Sequence, residues 1–198
     1  MSQVAIVFHS GYGHTQRMAQ SVAAGAGGQL IAIDAEGNLP EGGWEALAAA
    51  DAIVFGSPTY MGSVSWQFKK FADASSKPWY SQAWKDKIFG GFTNSANVNG
   101  DKHSTLHYLL TLAMQHGGIW VGTGQNYNNT QASQRSDVNY LASSVGPMGQ
   151  TPGDVGAADM NEGDLETARR FGERIAAVAA LHKAGTARPV DEAALASA

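Results

Sequence analysis

The residues of this chain that could do chemistry begin with the loop Ser10-Gly11-Tyr12-Gly13-His14-Thr15, which follows the apolar run Val4–Phe8 and precedes a helix-like segment. A strand that turns straight into a helix leaves backbone N–H groups unpaired. These groups and the positive end of the helix attract an anion. Ser10 and Thr15 add hydroxyl donors, and His14 can add a ring N–H. The loop therefore predicts a phosphate-binding site.

The kind of phosphate group is indicated by what the loop lacks. A triphosphate-binding loop of the Walker type ends in Gly-Lys-Ser or Gly-Lys-Thr, and this loop contains no lysine. A dinucleotide fingerprint could begin at Gly11 and Gly13, but Gln16 stands in place of its third glycine. A phosphomonoester therefore fits better than either. The alternative is an ordinary tight turn between a strand and a helix.

A second candidate loop, Gly56–Gly62, follows the apolar run Ala52–Phe55. Pro58 stiffens the turn, and the backbone N–H groups of the residues after it lie at the end of the predicted strand. Tyr60 and Met61 place an aromatic ring and a thioether side by side, which suits a flat ring. The alternative is that these two side chains cap the core beneath a helix.

A third loop, Thr93–Gly100, follows the apolar run Ile88–Phe92 and is rich in small and amide-bearing residues. Its many donors could hydrogen-bond the edge of a heterocycle and stabilise negative charge on it. The alternative is a plain solvated loop. The donors and small residues of this loop are Thr93, Asn94, Ser95, Ala96, Asn97 and Asn99.

The elements that position these loops alternate between apolar strand-like runs and helix-like runs. Five such strands predict an α/β domain with a parallel sheet and right-handed crossovers. In the strand order 2-1-3-4-5 of one common doubly wound fold, the loops after strands one, three and four are neighbours. Together they describe a ligand with a phosphate at one end and a flat polar ring at the other, above all FMN. The long segment Gly122–Gly163 lacks periodicity, and we expect it to shape a pocket or an interface.

Composition limits the remaining possibilities. The 198 residues carry a net charge of −4 and no cysteine, which excludes disulfides and thiolate metal sites. The sequence has no basic stripe, no apolar run that could span a bilayer and no secretory pattern, so we expect no nucleic acid, no membrane and a cytoplasmic location. We predict one domain over residues 1–183 and a mobile tail over residues 184–198. His103 and His107 have the spacing of a helical metal pair, but without a third ligand we expect no metal.

The motifs Ser10-x-Tyr12-Gly13-His14-Thr15 and Pro58-Thr59-x-x-Gly62, with the loop that begins at Thr93, resemble those of flavodoxin-like NAD(P)H-dependent oxidoreductases. The chain is most similar to the tryptophan-repressor-binding-protein type of NAD(P)H:quinone oxidoreductase, over residues 4–181. The resemblance implies a flavodoxin-like three-layer sandwich with a five-stranded sheet of order 2-1-3-4-5. It also implies bound FMN, with NADH or NADPH as the electron donor.

The resemblance also assigns roles to residues. Ser10, His14 and Thr15 would hold the FMN phosphate, residues 59–61 would flank the flavin, and residues 94–99 would surround its polar edge. Tyr12 would lie near the nicotinamide, and Trp79 would line the substrate space. The implied cofactor-binding residues are Ser10, Tyr12, Gly13, His14, Thr15, Pro58, Thr59, Tyr60, Met61, Gly62, Thr93, Asn94, Ser95, Ala96, Asn97, Asn99 and Gln115, and the implied substrate residues are Tyr12 and Trp79.

The sequence departs from the family pattern at four places. Tyr60-Met61 replaces an Arg-Phe pair, and three asparagines enter the loop that begins at Thr93. Gln115 replaces the first histidine of a His-His-Gly motif and would inherit its contact with the flavin. A family insertion before strand three is shortened here, which leaves the assembly open between a homodimer and a homotetramer.

We therefore expect an FMN enzyme that passes two electrons from NADH or NADPH to a quinone-like acceptor. The flavin carries the chemistry, and no side chain is needed as a catalytic nucleophile. One alternative is a flavodoxin-type electron carrier without substrate turnover, although such carriers tend to be more acidic. Another is a phosphate-binding α/β domain without flavin, such as a hydrolase or a regulatory module.

Overall fold

A computed structural model describes residues 2–186 of the chain. Helix α6 continues to Thr186, and most of the predicted tail, residues 187–198, lies outside the described residues. No helix within residues 2–186 is long and apolar enough to cross a lipid bilayer.

The chain alternates strands and helices as the sequence predicts. Strand β1 is buried along its whole length because it lies between two other strands and beneath helices on both faces. The strands are β1 (Val4–His9), β2 (Gln29–Ile33), β3 (Ala52–Tyr60), β4 (Ser63–Val64), β5 (Ile88–Ser95), β6 (Ile119–Trp120) and β7 (Met148–Gln150). The helices are α1 (His14–Ala26), α2 (Gly43–Ala49), α3 (Trp66–Ala74), α4 (Ser76–Tyr80), α5 (Lys102–Gln115) and α6 (Glu162–Thr186), with a short 3-10 turn at Ala157–Asp159.

The sheet has seven strands, so the predicted count of five is wrong. Its main path is β2-β1-β3-β5-β6, while β4 pairs with β3 and β7 pairs with β5. The five predicted strands keep their predicted neighbours, and the order changes from 2-1-3-4-5 because β4 shifts the numbering. Strand β4 is a two-residue hairpin return, and β7 has three residues, so neither is long enough to show a periodic pattern.

The long aperiodic segment returns to the sheet at strand β7. Both β6 and β7 run parallel to β5, β6 beside its first residues and β7 beside its last three. Residues 121–147 are therefore an insertion that divides the edge of the sheet in two. The chain returns from this insertion at the carboxyl end of β5.

Alternate residues of the strands build a core on each face of the sheet. Val7 and Phe55 point towards α2, α3 and α5, while Ile6 and Phe92 point towards α1 and α6. Helices α1 and α6 pack closely because Gly172 faces the Val22 carbonyl, where a Cβ atom would collide. The result is a three-layer sandwich that places the carboxyl ends of β1, β3 and β5 at one edge.

Candidate FMN site

A cleft of about 710 Å³ opens at the carboxyl ends of β1, β3 and β5. All three loops singled out in the sequence reach it, as expected for neighbouring parallel strands. A fourth wall comes from the segment that follows β7. The lining residues are Gly11, Tyr12, His14, Thr15, Pro58, Thr59, Tyr60, Asn94, Ser95, Ala96, Thr151, Gly153, Asp154, Val155 and Gly156.

The loop after β1 has the features of an anion site. The Ser10 hydroxyl accepts hydrogen bonds from the amides of Gly13 and Gln16, both at 3.1 Å, so its own proton is free to donate. Gly13 has φ +90°, which glycine adopts without strain. Helix α1 starts at His14, and because the Gln16 amide already donates to Ser10 Oγ, the amides of His14 and Thr15 are the first-turn donors left without a partner among residues 2–186.

Two hydrogen bonds tie this loop to the other walls. The Thr15 hydroxyl, which is buried, donates to Asn94 Oδ1 at 2.6 Å. His14 Nε2 lies 2.9 Å from the Val155 carbonyl oxygen. Because a carbonyl only accepts, Nε2 carries the proton, and Nδ1 can donate to a phosphate only when the ring is protonated. The anion site is therefore built mainly from backbone amides and the Ser10 hydroxyl, with His14 as a conditional donor.

Aromatic rings form the mouth of the cleft. Tyr12 is 80% exposed, and its ring meets that of Tyr60 edge-on with centroids 6.4 Å apart. The Tyr60 hydroxyl lies directly over Gly11, where a Cβ atom would be only 2.5 Å away. Burial, with a smaller contribution from Tyr12, raises the pKa of Tyr60, so the phenol stays neutral in ordinary buffers.

Met61 does not form a wall of the cleft in this structure. It stands with Gly62 at the tip of the β3–β4 hairpin, and both have positive φ, +48° and +78°. Two positive φ values are typical of the tight turns that suit a two-residue hairpin. The Met61 side chain consequently points into solvent beside the cleft.

The loop after β5 contributes its first residues to the cleft and not its last. Thr93 is buried beneath the floor, where its hydroxyl lies 2.9 Å from that of Thr59. Asn94, Ser95 and Ala96 line the cleft. Asn97 and Asn99 are exposed farther along the loop and are not among the lining residues.

The wall after β7 supplies residues that the motifs did not indicate. Thr151 is 5% exposed, and its hydroxyl has no hydrogen-bond partner among residues 2–186. Its amide donates to the Ser95 carbonyl oxygen at 3.2 Å, which joins this wall to the loop after β5. The only sequence signal for this wall was the length of the aperiodic segment, which was expected to shape a pocket.

Two of the residues that the resemblance implies, Trp79 and Gln115, lie at the end of the sheet opposite the cleft. Helix α3 runs away from the cleft and ends at Ser75, whose hydroxyl lies 2.9 Å from Nε2 of His116. Trp79 follows on α4 and is 53% exposed. Gln115 ends α5, just before the residues that pair with the start of β5. One copy of the chain therefore does not bring Trp79 or Gln115 to its own cleft.

The charge of the cleft is low. Within the described residues, its lining contains one carboxylate, Asp154, and neither lysine nor arginine. An anion bound at the first loop would be held by neutral donors and by the helix terminus. Such a site fits one phosphate group and leaves the rest of the cleft for a polar ring.

Comparisons with known proteins agree with this geometry. A family model described as NADPH-dependent FMN reductase matches residues 43–132. The flavodoxin FldP of Pseudomonas aeruginosa is 54% identical over 178 residues, which cover 90% of this chain and 97% of that protein. A NAD(P)H dehydrogenase (quinone) of Trichlorobacter lovleyi is 30% identical over 91% of this chain and 98% of its own length.

A solved structure shows the same architecture. It is described as the flavodoxin, WrbA-like protein from Agrobacterium tumefaciens and is 56% identical to this chain. The superposition covers 92% of this chain and 99% of that one, with a TM-score of 0.76. Fold and sequence therefore point to the same group of proteins.

Proposed function

Because this chain belongs to the flavodoxin-like family of NAD(P)H-dependent oxidoreductases, of the NAD(P)H:quinone oxidoreductase type, we propose that its cleft binds FMN. We further propose that the loaded protein passes two electrons from NADH or NADPH to a quinone-like acceptor. The family is the one that the motifs after β1 and β3 indicated.

The residues of the cleft fit FMN. The loop after β1 offers the amides of His14 and Thr15 and the Ser10 hydroxyl to a phosphate without a lysine, while the Thr15 hydroxyl donates its proton to Asn94 Oδ1. Thr151 presents a buried hydroxyl that lacks a partner in the described part of the chain, and such groups in a native site are explained by a ligand or a water molecule. FMN would supply a phosphate for the loop after β1 and a hydrogen-bond partner for the Thr151 hydroxyl.

The protein residues would bind and orient the groups that react. When bound, FMN supplies the hydride acceptor and the two-electron donor. The loop after β1 would hold the phosphate, while Thr59 and residues 94–96 would fix the ring plane. Tyr12 and Tyr60 would exclude water from one side and present an aromatic surface to a nicotinamide or a quinone.

The uncharged, aromatic mouth of the cleft is the observation that favours an oxidoreductase over an electron carrier. Carrier proteins steer large partners with charged faces, whereas a flat apolar acceptor needs an aromatic contact. At this mouth Tyr12 is largely exposed and Met61 fully exposed. A small quinone-like molecule suits this surface better than a protein partner.

The test is turnover by FMN-loaded protein with NADH or NADPH and benzoquinone. We expect rapid oxidation of at least one nicotinamide, followed at 340 nm. In Thr15→Glu, a carboxylate would meet the phosphate, so the Kd for FMN should rise by about a hundredfold or more and turnover should disappear. Thr111→Glu, an exposed change on α5, is the matched control. Full flavin occupancy in Thr15→Glu would show that the phosphate lies elsewhere.

A second candidate function is electron carriage of the flavodoxin type. It is favoured by the name of the 54% identical relative, flavodoxin FldP. A carrier would react slowly with both nicotinamides and would hold a one-electron-reduced flavin during photoreduction. An oxidoreductase of the proposed type would be reduced by a nicotinamide and would not accumulate that form.

We also propose that the chain works as a homodimer or a homotetramer. Trp79 and Gln115 lie at the edge of the sheet opposite the cleft. If they contact flavin or substrate as the resemblance to the family implies, they do so in the cleft of another copy. The site would then be complete only in the assembled protein.

A further inference from the structure

A buried lysine lies behind the loop that follows β5. Lys102 is the first residue of α5, and its relative exposure is 0%. Its ammonium group donates to Ser95 Oγ at 3.0 Å, to the Asn97 carbonyl oxygen at 2.6 Å and to the Val98 carbonyl oxygen at 2.8 Å. All three of its donors are used, and all three acceptors belong to one loop.

This loop is the floor of the cleft at its ring end. Ser95 lines the cleft, and its backbone carbonyl accepts from the amide of Thr151 in the opposite wall. The neighbouring Ala96 carbonyl accepts from Gln150 Nε2 at 2.7 Å. The loop is thus held on one side by the strand β7 wall and on the other by the ammonium of Lys102.

Within residues 2–186, no carboxylate forms an ion pair with Lys102. Two charged groups from other elements act on it, Asp164 of α6 and Arg135 of the insertion. These two pair with each other, since Arg135 donates to both carboxylate oxygens of Asp164, at 2.7 and 2.5 Å. Burial lowers the pKa of Lys102 to about 8, which still leaves the amine mostly protonated at pH 7.

We propose that Lys102 is a positioning residue that fixes the Ser95–Val98 loop for the flavin ring and places one uncompensated positive charge behind it. The protein should then bind reduced, anionic FMN more tightly, relative to oxidised FMN, than it would without this charge. The inference rests on the proposed function, because it assumes that the cleft takes FMN. The charge favours negative charge on whatever ring the loop holds.

The test compares Lys102→Met with Lys102→Arg and with Lys87→Met. Lys87 is a matched control because it also donates to backbone carbonyls, those of Ala48 and Ala50, but at the opposite edge of the sheet. The dissociation constant for oxidised FMN is measured by flavin fluorescence, and that for FMN reduced with dithionite is measured by anaerobic equilibrium dialysis. The midpoint potential of bound FMN gives an independent reading of their ratio.

In Lys102→Met we expect about tenfold weaker binding of oxidised FMN and about a hundredfold weaker binding of reduced FMN. The tenfold difference between the two corresponds to a midpoint potential about 30 mV more negative for two electrons. Lys102→Arg should keep the wild-type ratio, because the charge remains. Lys87→Met should lower thermal stability and leave the ratio unchanged.

Wild-type dissociation constants in Lys102→Met, for both forms of FMN, would overturn the proposal. An equal loss of affinity for oxidised and reduced FMN would overturn the electrostatic part of the proposal. Lys102 would then act only by holding the Ser95–Val98 loop in place. Should Lys102→Met not fold, the wild-type protein decides: its preference for reduced FMN should fall between pH 7 and 9.5 as Lys102, whose pKa is about 8, loses its proton. A flat profile there counts against the proposal. A wild-type protein that binds no FMN would instead refute the proposed function.

Discussion

Thr151 is the residue of the cleft whose chemistry is least satisfied by the protein itself. Its hydroxyl is buried and unpartnered within residues 2–186, whereas Thr15 and Thr59 each have hydrogen-bond partners. An unpartnered buried hydroxyl destabilises the free protein, and it increases the affinity for a ligand that can form a hydrogen bond with it. Thr151 is therefore the residue at which binding and stability should change in opposite directions.

We predict that Thr151→Val weakens FMN binding by about five- to tenfold and leaves the FMN-free protein as stable or more so. Valine keeps the shape and removes the hydroxyl, and Thr151→Ser is the control that restores it. Flavin fluorescence gives the Kd, and urea denaturation of the FMN-free protein gives the stability. An unchanged Kd in Thr151→Val would mean that the hydroxyl does not face the cofactor.

Tyr60 and Met61 have different surroundings in the structure, although they are neighbours in the sequence. The types of Tyr60 and Met61 suggested a pair of groups beside a flat ring. The structure separates them, because a two-residue hairpin turn at Met61-Gly62 sends the Met61 side chain into solvent. The turn depends on the pairing of β3 with β4, which no local pattern of two residues reveals.

The ends of helices α3 and α5 are joined by one buried histidine. His116 follows α5, its ring lies against Trp84 with centroids 4.4 Å apart, and its Nε2 meets Ser75 Oγ at the end of α3. Ser75 already donates to the Ala72 carbonyl oxygen, so Nε2 carries the proton, and Nδ1 is a buried acceptor that has no partner between residues 2 and 186. Burial consequently lowers the pKa of His116 to about 4.

This link predicts a loss of stability in mild acid. The folded state keeps His116 neutral down to about pH 4, whereas the unfolded chain takes up a proton near the ordinary histidine value of 6.5. The stability is therefore complete above pH 6.5 and falls as the pH drops towards 4. We expect His116 to account for about 2 kcal/mol between pH 7 and pH 5.

Urea denaturation at pH 7, 6 and 5 checks this expectation. His116→Gln should flatten the pH dependence, at the cost of lower stability at pH 7. His107→Gln, an exposed change on α5, should keep the wild-type slope. An unaltered slope in His116→Gln would assign the acid sensitivity to other groups, of which His9, also buried with a lowered pKa, is the first to test.

Elements differ in how far the sequence determines them. Strand β1 and the loop at Ser10–Thr15 were predicted because a continuous apolar run and a glycine-containing turn are local signals. Strand β7 was missed because its three residues gain their structure from pairing with the end of β5. The wall that contains Thr151 follows from that pairing, so the site could be predicted only on three of its four sides.

At the level of the whole molecule, the two edges of the sheet carry different groups. One edge holds the cleft, and the other exposes Trp79 and Tyr80 on α4, which are 53% and 87% exposed. A cavity of about 560 Å³ lies beside them, between α2 and α4. Large exposed aromatic residues next to a cavity are typical of an interaction site. The resemblance to the family assigns Trp79 to a substrate pocket that one copy of the chain does not complete.

We therefore predict that assembly and substrate use depend together on Trp79. Trp79→Glu should weaken self-association by about 30-fold or more, because a tryptophan at an interface commonly contributes 2 kcal/mol or more and the new carboxylate would be desolvated. Analytical ultracentrifugation of FMN-loaded protein measures this, and KM for benzoquinone should rise in parallel. Leu181→Glu, an exposed apolar site on α6, is the matched control. A wild-type protein that sediments as a monomer at all concentrations would refute the assembly. A Trp79→Glu variant that stays assembled with an unchanged KM would remove Trp79 from both roles and return the acceptor site to the aromatic mouth at Tyr12 and Tyr60.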